Sequence, residues 1–176
     1  MTIDVNNSLF LFIDIQEKLV QMLKKDKVSK KAFILSETAN ILGIPKVFTE
    51  QYPKGLGTTI PSITINQDDK VFEKVTFNAL ETEGVQDAMA ERKNIFVCGI
   101  ETHICVYQTV KGLIEKGFNV FVVKDACASR DTDEFKAGIN LMEKAGASIT
   151  TTEIVLFELL KSAKHPNFKL IQALIK

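Results

Sequence analysis

The chain has 176 residues, one domain's worth, and at that length roughly 70% of the unfolded surface is buried without staples. Its 45% hydrophobic and 25% charged residues are the proportions of a globular protein rather than of a disordered or fibrous one. The 22 basic residues balance 22 acidic ones, which argues against a nucleic-acid or anionic-membrane partner and leaves nothing to oppose a homo-oligomer.

Short apolar runs, the mark of strands covered on both faces, recur along the chain. SLFLFID (8–14) is the first. A helical pattern over 28–42 follows, with Ile34, Thr38, Ile41 and Leu42 on one face and Gly43 at its end. IPKVFTE (44–50) is the second strand, and QYPKGLGTTIPSITINQDD (51–69) reads as a long loop over a sheet edge. KVFEKV (70–75) is a weaker strand, and Val85, Ala88 and Met89 predict a helix over 79–92. NIFVCGI (94–100) runs into a helix over 104–117, where Cys105, Thr109, Leu113 and Gly117 are spaced four apart. NVFVVKD (119–125) leads to a helix over 131–146 that opens on DTDE and ends at Gly146. ASITTT (147–152) is the last strand. Thr150 and Glu153 form a capping-box pattern for a helix over 153–163, and Pro166 introduces a final helix with Phe168, Ile171, Leu174 and Ile175 on its face. Alternating strands and helices predict a three-layer α/β/α sandwich: a mostly parallel, six-stranded Rossmann-like sheet with helices on both faces, formed by residues 1–176 as one domain.

Such sheets bind ligands at the carboxyl ends of their strands, so the polar residues there carry the functional information. They are Asp14, Gln16, Glu50, Gln51, Lys74, Glu101, Thr102, His103, Cys105, Asp125 and Thr150 to Thr152. The first strand is followed by DIQEKLV, without the glycines of a dinucleotide loop, and no P-loop exists, so no nucleotide cofactor is expected. Two histidines and no CxxC pair give no metal-ligand spacing, and no metal is expected. The odd count of three cysteines, with an acidic, polar N-terminus and no apolar run of membrane length, points to a reducing, cytoplasmic compartment and no membrane. Cys98 reads as core, Cys127 as a packed loop residue and Asp125 as a backbone partner at a strand end. Cys105 has two readings. At the start of a helix its thiol is favoured as a thiolate nucleophile, with Asp14 as base and Lys74 as cation if those strands are neighbours. A lone cysteine on a helical stripe is, on spacing alone, more often a small buried hydrophobe.

Three segments taken together favour the first reading: LFLFIDIQEKL (9–19), FEKVTFNAL (72–80) and CGIETHICVYQTVKGLIEKGFNVFVVKDACAS (98–129). They resemble the isochorismatase-like cysteine hydrolases, and TEQYPKGLG (49–57) and HPNFKLIQALIK (165–176) are similar to the isochorismatase domain-containing members of that family. The resemblance implies a catalytic Asp14, Lys74 and Cys105, a cis peptide at Ile100–Glu101, and an oxyanion hole of the backbone N–H groups of Glu101 and Cys105. It implies hydrolysis of a small molecule, an amide or related C–N or C–O bond, through a covalent intermediate on Cys105. The Asp-x-His metal motif of the nicotinamidases is missing from TEQYPKG, so neither nicotinamide nor a metal is implied. Gln16, Tyr52, Phe77, Ile100 and His103 are the expected substrate-binding residues. The competing expectation is a non-catalytic oligomeric scaffold that retains the fold.

Overall fold

All six apolar runs become strands in the computed structural model, which describes residues 3–89 and 91–176. They are β1 (Ser8–Ile13), β2 (Lys46–Gln51), β3 (Lys70–Lys74), β4 (Asn94–Ile100), β5 (Asn119–Ala128) and β6 (Ser148–Thr150). They pair in parallel in the order β3-β2-β1-β4-β5-β6. β1 and β4 lie at the centre and are buried at every residue, which is why their sequences are apolar without alternation. Phenylalanines lock the register across them: Phe10 stacks on Phe96 at 5.1 Å, Phe96 on Phe121 at 5.0 Å, and Phe12 on Phe48 at 4.7 Å, each a directly paired position. Such pairs add about 0.5–1.5 kcal/mol each beyond their burial.

Seven helices connect and follow the strands among the described residues: α1 (Glu17–Gln21), α2 (Val28–Leu42), α3 (Pro53–Leu56), α4 (Tyr107–Glu115), α5 (Thr132–Ala145), α6 (Thr152–Leu160) and α7 (Phe168–Ala173). Crossovers between parallel strands are right-handed, and the sheet grows in opposite directions from β1 and from β4. The connection through α2 therefore covers one face and those through α4 and α5 the other. α6 and α7 pack beside α2, and α5 packs beside α4. Among the described residues no helix is long and apolar enough to cross a membrane.

Four expectations change. Residues 79–92 form two 3-10 turns, Ala79–Glu81 and Asp87–Met89, rather than a helix, because Gly84 between them takes a left-handed φ of 84°. Val85 and Met89 are still buried, and Ala90 lies outside the described residues. The helix expected over 104–117 is α4 preceded by a π turn, Thr102–Val106, in which the Val106 N–H donates to the Glu101 carbonyl five residues back. α6 starts earlier than expected and without the capping box: Asp125 Oδ1 accepts from the Thr152 N–H at 2.7 Å and from its hydroxyl at 2.9 Å. The 51–69 segment, expected to be all loop, opens with the end of β2 and α3, and its remainder is pinned to the sheet end. Gln16 and Thr59 form an antiparallel bridge, and Glu50 Oε1 accepts from both the Thr59 N–H and its hydroxyl at 2.7 Å.

Candidate active site

β2 leaves β1 on one side and β4 lies on the other, so the carboxyl ends of β1 and β4 flank the crevice of an open parallel sheet. Two chemically capable residues sit there. Asp14 follows β1 with a left-handed φ of 52°, and Cys105 lies in the π turn after β4. The two strand ends are drawn together at Gly99 (φ 147°), where a Cβ would stand 2.1 Å from the Ile13 carbonyl oxygen. Any side chain at position 99 would separate the strands that carry the acid and the thiol. Lys74 comes from further away. It ends β3, paired with Gln51 of β2, and its ammonium reaches across β2 to Asp14.

The resulting cluster is buried. Lys74 Nζ lies 2.8 Å from Asp14 Oδ2, both side chains fully shielded from solvent. Asp14 Oδ1 accepts the Thr49 hydroxyl at 2.7 Å, and the Asp14 N–H donates to the Thr49 carbonyl at 3.0 Å. Lys74 Nζ donates to Gln51 Oε1 at 2.6 Å and to the Thr76 carbonyl at 3.1 Å. Beyond the ion pair, Asp14 Oδ2 has no hydrogen-bond partner among the described residues, which leaves it an acceptor position. The Cys105 thiol lies close enough to Asp14 and Lys74 to feel both charges. Its ionisation runs against the thiolate expectation. Burial and the Asp14 charge push the thiol up to about 12, and the opposing pull of Lys74 is smaller. The start of α4 does not reverse this. The resting group is a thiol beside a carboxylate.

A model of the isochorismatase domain matches residues 8–154. The chain belongs to the isochorismatase family. It is 38% identical over 173 residues to isochorismatase domain-containing protein 2 of Xenopus laevis, covering 96% of this chain and 83% of that protein. It is 39% identical over 145 residues to the secreted isochorismatase effector Isc1 of Phytophthora sojae, covering 78% of this chain and 69% of that one. Among solved structures, MAR1 ribonuclease of Caenorhabditis elegans superimposes with a TM-score of 0.95 at 36% identity, over 99% of this chain and 92% of that one.

On this isochorismatase fold the other expected site residues fall in different places. The Ile100–Glu101 peptide is cis. The Glu101 side chain turns towards the β5–α5 connection, accepting from the Arg130 N–H at 3.2 Å and pairing with its Nε at 3.4 Å, so only the backbone of Glu101 faces the π turn. Ile100 is core. Gln16 is buried and clamps the β2–α3 connection: Nε2 donates to the Gln51 and Gly57 carbonyls and Oε1 accepts from the Gln51 N–H at 2.7 Å. Both its donors are occupied, so any ligand contact is limited to one remaining lone pair. His103 is half-buried, with Nδ1 2.9 Å from the Ser129 hydroxyl on the α5 side. Tyr52 and Phe77 remain open, 57% and 50% exposed. Tyr52, with Lys74 and Val75, lines a cavity of about 340 Å³. Thr49, which orients the acid, was missed as a site residue, and Gln51, which holds the amine, stood among the strand-end polar residues without a role. Their one signal in the sequence is polarity at the end of a buried strand, KVFTEQ, on positions two apart and therefore on one face. Among the described residues no three His, Cys, Asp or Glu side chains cluster to hold a metal.

Proposed function

We propose that the protein is a cysteine hydrolase of small molecules, with Cys105 as nucleophile, Asp14 as general base and acid, and Lys74 as the cation that holds the charged forms. The supporting observation is the buried Asp14–Lys74 ion pair beside a thiol at the crevice between β1 and β4. Cys105 Sγ attacks the carbonyl carbon of an amide or ester while Asp14 takes the thiol proton. The backbone N–H groups of Glu101 and Cys105 receive the oxyanion. Asp14 gives the proton to the departing amine or alcohol, leaving a thioester on Cys105. Asp14 then takes a proton from water, the hydroxide attacks the thioester, the C–S bond breaks to release the acid, and Asp14 returns the proton to the Cys105 thiolate. Tyr52, Phe77 and Val75 at the open side fit a small, partly apolar acyl or amide group.

A screen of small amides and esters tests this. Turnover should vanish in Cys105→Ala and fall by about 10²-fold or more in Asp14→Asn. Turnover that survives Cys105→Ala would exclude the covalent route.

The similarity to a protein called a ribonuclease sets a second substrate against this one. Metal-free RNA cleavage needs an acid and a base poised around a phosphate. Here the two histidines are held elsewhere, His103 by Ser129 and His165 through its Nδ1 by the Asn167 N–H. RNA cleavage by the purified chain, unchanged in Cys105→Ala, would favour that second substrate. A reducing, cytoplasmic setting is the reading that three free, buried cysteines support. A homo-oligomer is supported by half-exposed Ile154, Phe157 and Leu170 on α6 and α7.

A further inference from the structure

A second cavity, of about 660 Å³, opens at the carboxyl end of β5, away from Asp14 and Lys74. Four lysines line it: Lys25 and Lys27 from the segment before α2, Lys31 from its first turn, and Lys124 from β5. Asp125 is the acid in the wall, but it is engaged. Its Oδ2 pairs with Lys31 at 3.1 Å, and its Oδ1 caps the Thr152 N–H and hydroxyl. Four lysines against one carboxylate leave a formal excess of three positive charges in a chain whose net charge is zero. Asp26 and Asp131 flank the cavity, and each is turned to backbone: Asp26 accepts from the Ser29 N–H, Asp131 from those of Asp133 and Glu134.

Of the four, only Lys31 is placed in an ion pair among the described residues, so the other three have no acidic partner there that would account for their position. Residues 24–31 read KKDKVSKK, five lysines in eight positions at the positive end of the α2 dipole, with no acid in the first turn. A helix start favours Asp and Glu there, and every added cation repels its neighbours and the dipole. An anion in the cavity removes that repulsion. The floor is apolar, with buried Val28 and Cys127 and half-buried Phe135, while the hydroxyls of Ser129 and Thr132 stand at the wall.

We infer that this cavity is a second ligand site, for a small organic phosphate monoester: the phosphate lies among Lys25, Lys27 and Lys124, and an apolar body rests on Phe135. Lysine serves phosphate as a point charge, and the hydroxyls supply directed donors. The site also borders the π turn, since Ser129 lines the cavity and bonds His103 two residues before Cys105. The inference does not depend on the hydrolase reading.

Calorimetric titration with phenyl phosphate, at low and physiological salt, tests it in the full chain and in Cys105→Ala. Binding is expected in both, weakening with salt, and is expected to fall roughly 10–100-fold in Lys25→Ala/Lys27→Ala/Lys124→Ala. The charge-matched Lys111→Ala/Lys144→Ala/Lys164→Ala, none of which lines the cavity, should bind as the parent does. No binding, or equal weakening by the two triple variants, would overturn the site. Binding lost in Cys105→Ala would move the ligand to the crevice and overturn it equally. Inorganic phosphate binding as tightly as phenyl phosphate would remove the apolar floor from recognition. Affinity for single-stranded oligonucleotides that exceeds that for phenyl phosphate and grows with length would replace a small phosphate by RNA.

Discussion

Burial and the Asp14 carboxylate hold Cys105 protonated well above neutral pH, so the proposed nucleophile role requires a proton acceptor beside it rather than a standing thiolate. The chain should therefore lack ultraviolet thiolate absorbance at pH 7, yet iodoacetamide should label Cys105 faster than Cys98 or Cys127, and Asp14→Asn should erase that preference. Equal, slow labelling of all three cysteines would refute the role of Asp14. Thr49→Val keeps the side-chain shape and removes the donor to Asp14 Oδ1. It should cost about 1–3 kcal/mol in urea unfolding and slow labelling of Cys105. The other thiols carry a pH dependence of their own. Burial raises Cys98 well above its ordinary value of 9.0 and Cys127 to about 12. Folded pKa values above the unfolded one mean that the neutral thiols' contribution is complete below pH 9 and is lost as pH rises towards 12. The Cys98→Ala/Cys127→Ala chain should show a shallower fall in melting temperature across that window than the parent. Asp14, Gln51 and Lys74 stood out as polar residues where apolar strands stop, but Cys105 on spacing alone read as a small buried hydrophobe, and only the family resemblance joined it to Asp14 and Lys74. Thr49 was not legible, and neither was the role of Gln51, because strand polarity alone does not say which way a hydroxyl or an amide points.

Among the elements, β1, β2, β4 and β5 were legible from apolar runs, since burial on both faces leaves little other composition for a parallel strand, while the edge strand β3, exposed along most of its length, gave the weaker signal. The helix over 28–42 matches α2 residue for residue, closed by Gly43 in the left-handed region. The π turn was invisible, because cysteine, threonine and histidine fit an α or a π turn equally well, and the difference lies in which carbonyl Val106 finds. α5 bears on that turn directly. At Gly138 a Cβ would stand 3.0 Å from both the His103 Cα and the Thr102 carbonyl oxygen. Gly138→Ala favours the helix intrinsically by about 1 kcal/mol, yet it must displace the turn. The expected outcome is a folded chain, by circular dichroism, in which Cys105 labels several-fold more slowly. Unchanged labelling would show that α5 does not set the position of the thiol.

At the scale of the whole molecule, the strand order brings Asp14, Lys74 and Cys105 from three separate stretches to one end of one sheet. The sequence order of the elements implied a parallel sheet, but the reach of Lys74 across β2 follows only from β3 being the edge strand, which spacing does not encode. The exposed apolar residues of α6 and α7 predict association: sizing chromatography should give a mass above 19.6 kDa, and Phe157→Glu should lower it. The same strand order has a temporal side. Asp14 and Lys74 belong to the first 74 residues, on β1 and β3, whereas Cys105 arrives only after β4 has docked on the far side of β1. A chain emerging from its N-terminus can join carboxylate and amine before any nucleophile exists between them. The Cys105 sulfur is thus placed last, beside a carboxylate and an amine already joined, and a circular permutation that places β4 ahead of β1 would reverse that sequence of events.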